Sequence, residues 1–176
     1  QLAELFAALR LIPARELAGA VERDDTAPGE WLAEAASTAP VVMPVLDRWQ
    51  RSAVERFLAQ SAPAAPADRV LCHFDLGAEH LLAGADRRTL TGVIDWSDAA
   101  VADVAVDLGR LWRDLGPEVP VGIVARLSMD DATLDRAAFH ARCALLEDLH
   151  HGLVTGDRRY CDAALAAFGH TFADVP

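Results

Sequence analysis

The chain contains no lysine and no asparagine, and all 16 of its basic residues are arginine. The first absence removes the compact ammonium that holds a phosphate as a point charge and leaves only planar guanidinium forks. The second removes the shorter of the two amide side chains that can ligate a metal. Cysteine is scarce. Cys72, Cys143 and Cys161 form no C-x-x-C pair, which excludes a zinc knuckle and a disulfide framework and makes a reducing cytoplasm the expected setting. No apolar run reaches the ~18 residues of a membrane span. No basic stretch followed by an apolar run opens the chain, so no signal peptide is expected, and a start at Gln1 reads as trimmed ends or a fragment. Basic surface is also lacking. With a net charge of −11, a nucleic-acid partner is not expected. The acidic balance serves solubility, and it also suits a cationic small molecule.

What is present is a chain of 176 residues with 52% hydrophobic side chains, enough for one domain with a real core. Much of that fraction is alanine, which favours closely packed helices. Apolar residues at 2, 5, 6 and 9 predict a helix over Leu2–Arg10, ended at Pro13. Asp24–Gly29 reads as a turn and 30–36 as a short helix. Pro40 and Pro44 interrupt, and a longer helix follows from about 45 to 60. A proline-alanine connector over 61–68 then separates this helical segment from a different pattern. Residues 69–72, 80–83 and 89–94 read as short strands, the last two joined by a turn at 84–88 into a hairpin. From 104 the chain is helical again, with helices at about 104–115, 120–127, 134–151 and 158–172. Asp131-Ala132-Thr133 offers a cap for the third of these. The expectation is one mainly α (α+β) unit over 1–176: a helical segment at 1–60, the connector, a catalytic loop and hairpin at 69–103, and a helical segment at 104–176.

The informative segment is His73-Phe-Asp75-Leu-Gly-Ala-Glu-His80, followed by Val93-Ile-Asp95-Trp96. Asp75 lies in a loop leaving a strand, His80 stands where the chain re-enters one, and Asp95 ends the partner strand. A loop and a hairpin can bring these three side chains within a few ångströms. Phosphoryl transfer needs such a set: a carboxylate for the attacking hydroxyl's proton, and ligands for the magnesium that neutralises the phosphate oxygens.

The pattern H-x-D-x-x-x-x-[N/H], followed by a strand ending I-D-W, resembles the C-terminal lobe of the aminoglycoside phosphotransferase family, relatives of protein kinases. Gly92-Val-Ile-Asp-Trp-Ser-Asp-Ala-Ala-Val-Ala-Asp103-Val-Ala-Val-Asp107, with histidine at position 80, is most similar to the macrolide phosphotransferase branch. The resemblance is strong over about 69–113. It implies the helical C-terminal lobe of the protein-kinase-like fold, with the β-hairpin bearing the catalytic and metal residues. It implies a Mg²⁺-dependent transfer of the γ-phosphate of ATP or GTP to the hydroxyl of an antibiotic-like acceptor, aminoglycoside or macrolide. Carried over by position, Asp75 is the catalytic base and Asp95 the principal magnesium ligand. His80 is the second ligand, or else binds a phosphate or a metal-bound water, since Mg²⁺ prefers oxygen. His73 fixes the loop through its ring nitrogens. Asp107 braces that loop, or is a plain helix N-terminal acid. Asp98 is a rim carboxylate, solvated or facing a cationic acceptor. Trp96 is expected in the core, and His150 and His151 at a helix C-terminus. Glu147 and Asp148 fit either the acceptor pocket or open surface.

The family's N-terminal β lobe, with its phosphate-anchoring lysine, is not legible in these residues. The expectation is therefore an excised C-terminal lobe, inactive alone, whose missing lobe acts in cis or in trans. A non-catalytic kinase-like binding or regulatory module is the alternative. A hydrolase holding two metals between His73, Asp75, His80 and Asp95 is a third reading, short of ligands for that chemistry.

Overall fold

Helices dominate a computed structural model of the protein, which describes residues 1–86 and 88–173. Leu2–Arg10 forms α1, Pro28–Val42 α2, Arg48–Leu58 α3, Val104–Leu115 α4, Glu118–Arg126 α5, Asp131–Thr155 α6 and Arg158–Phe172 α7. Short 3-10 turns occupy Ala14–Glu16, Met43–Val45 and Ala78–His80.

The helix starts follow capping chemistry. Asp47 accepts the Gln50 backbone N–H at 2.8 Å while the Gln50 side chain accepts the Asp47 N–H at 2.9 Å, a reciprocal capping box. Asp103 caps α4 through Ala105 at 3.0 Å. Asp130, not the Asp131 segment expected, caps α6 through Thr133 at 2.8 Å. Two other expectations change. α2 runs on to Val42 with Pro40 inside it, because a proline in the last turns removes only one hydrogen bond of a ladder already established. α6 continues past His150 and His151 to Thr155 and ends at Gly156, which takes the left-handed conformation with φ 75° that glycine adopts without strain. Those histidines are therefore helix-interior residues rather than a C-terminal feature.

α6 is the central element. It packs on α2, α3 and α7 around Phe57, Phe139, Leu146, Leu149 and Phe168. Its other side packs on α1, α4 and α5 around Phe6, Leu108, Leu111, Trp112, Ile123 and Ala141. A helix with neighbours on most sides is apolar on most sides. The tightest approach is at Gly109 of α4, where a Cβ would stand 2.8 Å from Cβ of His140 and 2.9 Å from the Ala137 carbonyl oxygen.

The β structure is small. Leu81–Ala83 (β3) and Leu90–Val93 (β4) pair antiparallel, Leu81 opposite Val93, as the expected hairpin; Arg87 of its turn lies outside the described residues. Val70–Cys72 (β2) instead pairs with Ala100–Ala102 (β5), which also takes Glu22–Arg23 (β1) in parallel. β1 and β5 have only two and three residues, too short to show a period in the sequence. Their effect is positional: β5 carries the chain from the hairpin into α4 and closes over the loop that follows β2.

Candidate active site

That loop is held open at a strained residue. Phe74 has φ 71°, a left-handed conformation unfavourable for a bulky side chain. Asp107, fully buried on the first turns of α4, supplies the restraint. Its Oδ2 accepts the His73 backbone N–H at 2.7 Å and its Oδ1 that of Phe74 at 2.8 Å. Burial pushes the Asp107 carboxyl up to about 6 against the opposing pull of these two N–H groups. His73 is buried as well. Its Nδ1 accepts the Asp75 N–H at 3.3 Å, and its Nε2 lies 2.8 Å from the Ile94 carbonyl. The first contact places the lone pair on Nδ1, so Nε2–H donates and ties the loop to the end of the hairpin. Trp96 packs against this ring at 4.7 Å, half-buried as a support.

Asp75 emerges from this brace with its side chain 36% exposed. Asp95, also left-handed at φ 61°, presents a carboxylate 60% exposed and accepts the Ser97 hydroxyl at 2.8 Å. His80 stands between them. Its Nδ1 donates to the Asp75 carbonyl oxygen at 2.6 Å and lies 3.9 Å from Asp75 Oδ2, while Nε2 lies 3.9 Å from Asp95 Oδ2. The structure thus brings Asp75, His80 and Asp95 together. With its proton on Nδ1, the ring turns a lone pair toward an anionic oxygen, an arrangement that suits a cation or a water molecule placed between them.

Among the described residues, no three His, Cys, Asp or Glu side chains close on a point that could hold a metal unaided. His73 cannot ligate, since both ring nitrogens serve the backbone, and this removes the two-metal hydrolase reading. The remaining donors, an exposed carboxylate beside an imidazole, still fit Mg²⁺. That ion usually takes one or two carboxylates and completes its shell with water and substrate phosphate.

Asp75 opens onto a cavity of about 810 Å³, a size suited to a drug-sized molecule. Its walls are acid-rich, with Glu22, Asp24, Glu79, Glu147 and Asp148 facing Arg23, Arg110 and Arg113. Asp98 is exposed on this wall, and Glu147 and Asp148 of α6 both face the cavity. Burial raises the Asp148 carboxyl to about 6 even though Arg113 NH1 lies 2.8 Å away. Arg113 itself is 5% exposed. Burial works against its charge, and the hydrogen bonds to Asp114 and the field of Asp148 more than offset this. Asp114 in turn accepts the Ala78 N–H at 2.7 Å, fixing the turn that carries His80. A second cavity, of about 660 Å³, shares Glu79, Arg113, Asp148 and Tyr160 with the first and is walled further by Ala163, Ala166, Ala167, Arg159 and His170.

The Phosphotransferase enzyme family matches this chain over residues 1–149. The chain belongs to that family. Solved structures place it within the kinase-like architecture. It aligns with the GDP and kanamycin complex of APH(2")-IIia at TM-score 0.71 and 24% identity, covering 97% of this chain and 60% of that one. It aligns with macrolide 2'-phosphotransferase type I at 0.61 and 21%, covering 99% and 58%. It aligns with the apoenzyme of macrolide 2'-phosphotransferase MphH from Brachybacterium faecium at 0.58 and 25%, covering 95% and 57%. No curated protein matches it. The chain spans about 60% of the length of the first of these phosphotransferases, and its mainly helical fold corresponds to the C-terminal lobe of the family.

Arg110, Arg113 and Asp114 escaped the sequence reading. Each follows Asp107 on α4 by about one or two turns, so helical spacing could have placed Arg110 and Asp114 on the Asp107 face. Arginines within an apolar helix were the available signal.

Proposed function

We propose that this chain is the catalytic and acceptor-binding part of a small-molecule O-phosphotransferase. The observation that carries the reading is Asp75. It sits on the cavity wall, held by a braced loop, with the Asp95 carboxylate on the far side of His80. Asp75 takes the proton of the acceptor hydroxyl as the acceptor oxygen bonds to the γ-phosphorus. The bond from that phosphorus to the bridging oxygen breaks, and a nucleoside diphosphate leaves. Asp95, with His80 beside it, would hold Mg²⁺, which neutralises the phosphate oxygens when bound. His73 and Asp107 keep Asp75 aimed.

Complexes of similar phosphotransferases with GDP, with GDP and kanamycin, and with ADP and hygromycin B support a nucleotide co-substrate and an antibiotic acceptor. Leu82 and Ile94 are 43% and 44% exposed on the outward face of the hairpin beside Asp95, and offer an apolar floor for a nucleobase. With no lysine among these residues, a lysine for the α- and β-phosphates would have to come from a further lobe. The acid-rich cavity favours a cationic acceptor, with Asp98, Glu147 and Asp148 as its counter-charges. The adjoining cavity sets Ala163, Ala166 and Ala167 beside Arg159 and His170, and its alanine side offers room for an apolar part of the acceptor, as in a macrolide-like amine.

The test is γ-phosphate transfer from ATP and GTP to aminoglycosides and macrolides by a protein that joins this chain to a nucleotide-binding lobe. Asp75→Asn is expected to lower kcat by roughly 10²–10⁴-fold. Undiminished transfer in that variant would remove Asp75 as the base, and no transfer by the unaltered joined protein would assign the chain to a non-catalytic binding role instead.

A further inference from the structure

Arg110 reaches the carboxylate of Asp75 from one side. Its NH1 lies 3.2 Å from Asp75 Oδ1, and its NH2 lies 3.9 Å from Glu147 Oε2. The side chain is 16% exposed, and Nε is buried with no hydrogen-bond partner. Arg136 shows what a structural arginine looks like in the same protein. It donates to Asp103 at 2.7 Å, to the Ala132 carbonyl at 3.2 Å and to the Thr133 hydroxyl at 3.4 Å, so all three of its nitrogens are used. Arg110 gives up such satisfaction to stand on the wall of the acceptor cavity.

The two oxygens of Asp75 are consequently unequal. Oδ1 faces the guanidinium. Oδ2 faces His80 Nδ1 at 3.9 Å, but that N–H is already given to the Asp75 backbone carbonyl. We propose, on the phosphotransferase reading above, that Arg110 is a positioning residue for Asp75. It holds Oδ1 so that Oδ2 is the oxygen that takes the acceptor proton, and through Glu147 it ties that orientation to the helix lining the acceptor cavity. Phosphoryl transfer draws mainly on alignment and charge, so a carboxylate held by a cation suits the reaction. The cation also offsets the neighbouring acids, which would otherwise push Asp75 off its aim.

The experiment compares Arg110→Ala, Arg110→Met and Arg110→Lys in a protein joining this chain to a nucleotide-binding lobe, with Asp75→Asn alongside. Arg110→Ala and Arg110→Met are expected to lower kcat by about 10–100-fold while the KM for nucleotide stays within about twofold of its starting value. Arg110→Lys should recover part of the loss, and added guanidinium should raise kcat of Arg110→Ala. Undiminished kcat in Arg110→Ala and Arg110→Met, with Asp75→Asn inactive, overturns the positioning role and leaves the phosphotransferase reading standing. Full activity in Asp75→Asn overturns Asp75 as the base and the positioning role with it, and no transfer by the unaltered joined protein overturns the phosphotransferase reading. A second measurement needs no acceptor. In the chain itself, labelled at aspartate carboxyl carbons, the ¹³C resonance that Asp75→Asn removes should move in Arg110→Met and stay in place in Arg126→Met, a change at an exposed site on α5. A resonance unmoved in Arg110→Met overturns the proposal.

Discussion

Asp107 Oδ2 accepts the backbone N–H of His73 at 2.7 Å across 34 residues of sequence, and its other oxygen takes the next N–H of the same loop. One carboxylate therefore satisfies both donors of a left-handed bend that would otherwise be buried and unpaired. Replacing it by alanine leaves both donors without partners, at about 1–3 kcal/mol each. Asp107→Ala is expected to lower the urea midpoint and to abolish slow hydrogen exchange at the His73 and Phe74 amides. Protection of those amides at the original level would show that something else holds the loop.

The same residue makes a pH prediction of unusual sign. Its carboxyl rises from 3.8 to about 6 on folding, so the folded chain binds the extra proton. The stability this group contributes is fully present below about pH 4 and is lost as pH rises through about 6. Asp148 acts in the same direction, from 3.8 to about 6. Asp107→Asn should remove part of the decline in stability between pH 4 and 6. A slope identical to that of the unaltered chain, in urea titrations across this window, would contradict the assignment.

His140 works against them. Burial among Trp31 and Phe139 lowers its imidazole from 6.5 to about 4, so the unfolded chain binds the proton first. Its contribution is present above about pH 6.5 and is lost as pH falls toward 4, a change of about 3 kcal/mol in all. His140→Gln is expected to flatten the acid limb of the stability curve. Thermal melts at pH 7 and pH 5 read this directly, as a smaller difference in Tm than in the unaltered chain.

Gly109 tests the packing on which the site rests. A methyl group there meets the backbone and Cβ of α6 at 2.8–2.9 Å, contacts that can relax only by moving a helix. Gly109→Ala should destabilise the chain by about 1–3 kcal/mol. It should also lower activity, because α4 carries Asp107, Arg110 and Asp114, and α6 carries Glu147 and Asp148. An unchanged Tm would mean that α4 and α6 stand farther apart than described.

Asp95 and His80 separate metal binding from acceptor binding. Asp95→Asn is expected to raise the Mg²⁺ concentration needed for half-maximal transfer by at least about tenfold, in line with the loss of a ligand or its partner. His80→Asn, which replaces an imidazole by an amide oxygen suited to Mg²⁺, should retain more activity than His80→Ala. Titrations of rate against Mg²⁺ and against acceptor check both. An unaltered Mg²⁺ dependence in Asp95→Asn would remove that residue from the metal site.

Local chemistry was legible in the sequence. Helical spacing marked α1, α4 and α7 to within a residue, because an apolar face repeats over several turns whatever it packs against. The hairpin was visible as two short runs, the second rich in β-branched residues, on either side of a turn. The grouping of Asp75, His80 and Asp95 followed from their places beside short strands, where backbone geometry leaves little choice. Tertiary structure decided the rest. β1 and β5 exist only because each finds a partner, and Pro40 is absorbed because α2 has a core to lie on. Whether Asp107 was a brace or a dipole-favoured acid depended on a contact 34 residues away. Whether Asp75 stood alone or against Arg110, and whether Glu147 and Asp148 faced a cavity or open water, depended on how α4 and α6 cross. Periodicity records which face of a helix is buried, and only packing determines which charge on that face meets which.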